Sequence, residues 1–77
     1  MPDLIVDSEG ELELGIGIAV ELAQTSEDPI ELELTFPSVG LMKIFSTNLV
    51  RSFVNNNVPK ENKLQLVFNV PEEDDEY

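Results

Sequence analysis

Carboxylates are the one abundant reactive group in this chain: its 77 residues hold sixteen acids, four bases and neither histidine nor cysteine. Ten of the acids (Asp3, Asp7, Glu9, Glu11, Glu13, Glu21, Glu27, Asp28, Glu31 and Glu33) fall in the first 36 residues, which carry no base at all. Five more crowd the end as Glu72, Glu73, Asp74, Asp75 and Glu76, while Lys43, Arg51, Lys60 and Lys63 sit between the two acidic blocks. Without His or Cys, no nucleophile and base pair of the usual kind can form. A carboxylate pair would need to flank a concave pocket, which a chain of this length can hardly enclose. The expectation is a protein that is not an enzyme and uses no cofactor.

Two short motifs resemble ligand sites but have simpler structural readings. Asp7-Ser8-Glu9-Gly10-Glu11 gathers acids round a glycine but lacks the ligand series of a calcium loop, so it reads as a solvated turn and no metal is expected. Gly15-Ile16-Gly17 lacks the third glycine of a dinucleotide-binding turn, since position 20 is Val, and reads as a bend in a strand.

What remains for the acids is recognition of a cation. A net charge of −12 repels nucleic acid phosphates and anionic membranes, and attracts basic protein grooves. The longest apolar stretch is far short of the roughly 18 to 20 residues that cross a bilayer, and the N-terminus lacks a basic leader. A cytoplasmic protein with no membrane contact and no direct binding to nucleic acid is expected.

The elements that would position the acids follow from periodicity. From Glu11 to Leu22, Leu12, Leu14, Ile16, Ile18, Val20 and Leu22 alternate with Glu11, Glu13, Gly15, Gly17, Ala19 and Glu21, which reads as a long half-buried strand. Turn chemistry at Thr25 to Pro29 then leads to a second alternating run, Ile30 to Phe36, so the pair reads as a hairpin. In that pairing Glu21 lies opposite Glu31, a like-charge contact that opposes folding. A short strand at Leu4 to Val6 precedes them. Leu41, Phe45, Leu49 and Phe53 recur at four-residue spacing, which predicts a helix over 39–55 with Ser38 as N-cap and the Asn55-Asn56-Asn57 run as its stop. Lys43, Thr47 and Arg51 make a polar stripe roughly opposite the apolar face of that helix, flanked by Val50 and Val54. Leu64, Leu66, Phe68 and Val70 predict a last strand ended by Pro71.

The order β-β-β-α-β implies an α+β domain over 1–71: a mainly antiparallel sheet of three to four strands with one helix on its apolar face. Residues 72–77 form an acidic tail. Glu11, Glu13, Glu21, Glu31 and Glu33 would then share one outward sheet face, and the tail acids would extend its field. Such a face suits a nucleic acid mimic that occupies the basic groove of a nuclease, restriction enzyme, CRISPR effector or other nucleic-acid-binding protein, because Arg forks accept carboxylates and phosphates alike. In length and charge the chain is similar to phage-encoded anti-restriction and anti-CRISPR proteins, although no motif ties it to a named family. That resemblance of type implies an inhibitor acting in a host cell. The alternative is an assembly or immunity-type subunit that pairs through sheet edges, a homodimer among its forms, with the acids serving solubility. A chain this short buries only about 60 to 65% of its unfolded surface, so a partner subunit would be a useful supplement to its core.

Overall fold

Serine caps start both helices of the structure, a computed structural model that describes residues 3–71. Ser8 Oγ accepts from the Glu11 backbone N–H and opens α1 (Glu9–Thr25); Ser38 Oγ accepts from Leu41 N–H and opens α2 (Val39–Asn55). With strands β1 (Asp3–Ile5), β2 (Ile30–Thr35) and β3 (Leu64–Asn69), the order is β-α-β-α-β. All three strands are parallel in the spatial order β1-β2-β3.

This overturns the mainly antiparallel sheet with a single helix. The segment Glu11 to Leu22 is helical, and the Thr25 to Pro29 turn joins that helix to β2, where a hairpin was expected. The physical reason is that the apolar residues of this stretch satisfy two periods at once. Leu12, Ile16, Ala19 and Ala23, spaced by four, three and four, are the buried ones, and Leu14, which the strand reading turned inward, is exposed. Ser8-Glu9-Gly10-Glu11 is also a capping-box sequence, a start signal that the reading of an acidic turn passed over. The expected pairing of Glu21 with Glu31 therefore does not exist.

The second helix has the bounds and cap that its spacing predicts, and Asn57 takes the left-handed conformation (φ 55°) beyond its end. Leu64, Leu66 and Phe68 pack inward from β3, as their alternation requires. The first strand lies at an edge, three residues long. The acidic tail falls outside the described residues.

The core lies between one face of the sheet and the two helices. Val6, Leu34, Phe36 and Phe45 have no exposed surface, and Leu32, Leu49, Leu12, Ile16 and Ala19 complete the cluster. Phe36, Phe45 and Phe68 meet edge to face with ring centroids 5.3 to 5.9 Å apart, joining α2 to β3 and to the end of β2. No polar side chain is buried among the described residues. Gln24 Nε2 donates to the Asn56 carbonyl at 3.0 Å and ties the C-terminal ends of the helices together.

Gly15 and Gly17 stand in α1, not in a bent strand, and they differ in kind. A Cβ on Gly15 would lie 3.0 Å from Phe45 Cε2 and 3.1 Å from Leu4 Cδ2, so glycine is what lets α1 approach the aromatic cluster. A Cβ on Gly17 would meet nothing within 4 Å. Gly17→Ala is therefore expected to stabilise the chain by about 0.5 to 1 kcal/mol through helix propensity. Gly15→Val is expected to destabilise it by about 1 to 3 kcal/mol through overpacking against a ring held on two sides. Urea unfolding of dilute protein checks both signs. Phe45→Ala should lose about 3 to 5 kcal/mol, enough in so small a core to remove the cooperative thermal transition.

Candidate functional site: an uncovered anionic sheet face

Alternation along a strand sends successive side chains to opposite faces. Leu32, Leu34, Leu64, Leu66 and Phe68 point into the helix-covered core. Their neighbours Glu31, Glu33, Thr35, Gln65, Val67 and Asn69 therefore occupy the other face, joined there by Asp3 and Ile5 of β1. Both helices pack on one side, in a single core cluster, so no described element covers this second face. Ile5 is 63% exposed on it.

The register sets the charge pattern. Asp3 is the ladder neighbour of Glu33, and Glu33 of Val67; one step along, Ile5, Thr35 and Asn69 form the next row, and Glu31 pairs with Gln65. Adjacent strands lie about 4.8 Å apart and alternate residues of one strand about 6.6 Å. Asp3, Glu31 and Glu33 thus form a tight carboxylate cluster, and none of the three strands contains Lys or Arg. Asn69 Nδ2 donates to Glu33 Oε2 at 2.8 Å and holds that carboxylate at the centre of the face.

The five glutamates expected on one surface do not share one. Glu31 and Glu33 are on the open sheet face. Glu13 and Glu21 lie on α1, where they line a groove of about 760 Å³ between the helices, opposite Ile44, Asn48 and Arg51 of α2. Glu11 occupies the first turn of α1, its backbone N–H held by the cap. The division follows from the helical state of α1, which wraps residues 11, 13 and 21 round a cylinder instead of aligning them. Glu72, Glu73, Asp74, Asp75 and Glu76 fall outside the described residues. Asp3 was missed by the sequence reading, since only the β1–β2 register places it beside Glu33. The alternation of Glu31 and Glu33 in β2 was the signal that did find the face.

Among the described residues no group of three or more acids is arranged to hold a metal ion. The loops at the C-terminal end of the sheet bring both helix N-termini together, but the strand order runs 1-2-3 without a reversal, so the fold lacks the crevice that a topological switch point opens for a ligand. No described helix is long and apolar enough to cross a membrane.

Placing Asp3 beside Glu33 sets like charges across the ladder, which works against folding by about 0.2 to 1 kcal/mol. Asp3→Asn is expected to raise stability by that amount at low ionic strength. The gain should shrink as salt shortens the Debye length to about 8 Å at 0.15 M, as urea midpoints measured at two salt concentrations would register. No protein-family model, curated protein or solved structure matches this chain.

Proposed function

We propose that this protein is a non-enzymatic acidic binding module whose uncovered sheet face docks on a basic surface of another protein, competing there with nucleic acid. The observation that carries the reading is the cluster of Asp3, Glu31 and Glu33 on a sheet face that no described helix covers and no cation of the described strands balances. Parallel sheets ordinarily have both faces covered, so a bare face with exposed Ile5 and half-buried Val67 beside the acids suits an occupant that is apolar in part and cationic in part. Arginine answers that description. Its fork binds carboxylates as it binds phosphates, and its stem and guanidinium plane cover apolar surface. A groove rich in Arg and Lys is the surface of a nucleic-acid-binding protein, and inhibition by occupancy of such a groove is the activity this reading assigns.

The net charge of −12 supports the same partner class, because it steers cationic surfaces toward the chain and repels nucleic acid itself. Glu13 and Glu21 belong to another surface and take no part in this docking.

The immobilised chain is expected to retain basic nucleic-acid-binding proteins from bacterial lysate at low salt and to release them on addition of duplex DNA or of salt. The triple variant Asp3→Asn, Glu31→Gln, Glu33→Gln keeps the Asn69 hydrogen bond through the amide oxygen at position 33 and should bind the same proteins about tenfold or more weakly. Equal retention by that variant, or retention indifferent to salt and DNA, would eliminate the proposal.

A further inference from the structure

The outer face of the two helices carries a pattern that the sheet-face reading does not use. Leu14, Ile44, Val50 and Val54 are 52 to 70% exposed, and they are four of the five large apolar side chains left exposed among the described residues. All four lie on α1 or α2. Charges of both signs meet across the groove: its lining holds Glu9, Glu13 and Glu21 of α1 and Arg51 of α2, and α2 carries Lys43 as its second base.

The two helices are also in step. Asp3 pairs with Glu33, and the caps are Ser8 and Ser38, so residue n of the first strand and helix stands level with residue n + 30 of the second. Glu13 is therefore level with Lys43, Gly17 with Thr47, and Glu21 with Arg51. The acids on α1 are eight residues, about 12 Å, apart along the helix, and the bases on α2 repeat the same interval. The small residues Gly17 and Thr47 lie midway. Gly17 weakens α1 without any packing reason inside the chain, since a Cβ there would meet nothing within 4 Å.

We infer that a second copy of this chain covers the helical face, with a two-fold axis running along the helices so that α1 of each copy lies on α2 of the other. This axis keeps the levels matched. It sets Glu21 against Arg51 of the second copy and Glu13 level with its Lys43, brings Gly17 to Thr47 where the backbones approach, and covers Leu14, Ile44, Val50 and Val54. A two-fold axis across the helices would lay α1 on α1 and α2 on α2, with Glu13 facing Glu21 and Lys43 facing Arg51, so charge selects the first arrangement. The contact leaves the anionic sheet faces pointing outward on opposite sides of the pair, and it is independent of what they bind.

Sedimentation equilibrium and a charge exchange test this. At about 100 μM, well above a micromolar Kd, the chain is expected to sediment at twice its mass of 8.6 kDa. Glu21→Arg alone and Arg51→Glu alone should each be folded by circular dichroism and monomeric, because each places like charges on both copies of the contact. Mixing the two variants should restore the doubled mass, since every contact in the mixed pair again joins opposite charges. That rescue cannot come from a contact within one chain. Val50→Asp, at an exposed position, should be folded and monomeric and serves if either charge variant fails to fold. A monomeric wild type, single variants that remain dimeric, or a mixture that stays monomeric would each overturn the inference. Retention of basic proteins through the sheet face should be unchanged in Arg51→Glu, which separates failure of this contact from failure of the binding proposal.

Discussion

The core is one-sided, and everything else follows from that. Three parallel strands in the order β1-β2-β3 are joined by two helices packed on the same face, so one layer of apolar side chains does all the work of burial. The interlocked rings of Phe36, Phe45 and Phe68 sit in this layer and bind the end of β2, the second helix and β3 into one unit. Gly15 is the counterpart on α1, a position emptied of side chain so that the helix can come down on Phe45 and Leu4. A chain of this size has few other means of holding its shape, having no disulfide and no buried polar network among its described residues.

A core with one side leaves two broad surfaces of different character. The bare sheet face has acids and no strand cations, and the outward face of the helices has charges of both signs and exposed aliphatics. The first suits a partner of opposite charge and the second suits a copy of the same chain. Both features oppose the stability of an isolated monomer: like charges adjoin across the β1–β2 ladder, and four large apolar residues stand in water. Recognition by these faces is a physical account of why a small domain tolerates them.

The second helix and the last strand were legible because each shows one period and carries its own end signals. Leu41, Phe45, Leu49 and Phe53 fit a helix and nothing else, and Pro37, Ser38 and the asparagine run bracket it. The first helix was illegible by periodicity, since the large apolar residues at every even position from 12 to 22 form an alternating set that shares only Leu12 and Ile16 with the buried helical face and overshadows Ala19 and Ala23, which complete it. The sharpest case is the tetrapeptide Glu-Leu-Glu-Leu, which is helical at 11–14 and extended at 31–34. Four residues carry too little local preference to decide between these states; Ser8 upstream of one copy, and the packing of the other between two strands, make the difference. With that helix misread, the candidate site was half legible: Glu31 and Glu33 were found, Glu11, Glu13 and Glu21 were assigned to a face they do not share, and Asp3 was invisible.

By itself the amino-acid sequence determined the chemistry open to this protein. Carboxylates are its only plentiful reactive groups, their charge is segregated from four central cations, and a second helix and a final strand are written in single periods. Those properties belong to side chains and their near neighbours, so composition and spacing suffice to state them. Tertiary structure alone decided which acids stand together. The direction of strand pairing, the 30-residue register that sets Asp3 beside Glu33 and Glu21 level with Arg51, and the sheet face left bare all arise from contacts between segments distant in the chain, and no local pattern encodes them.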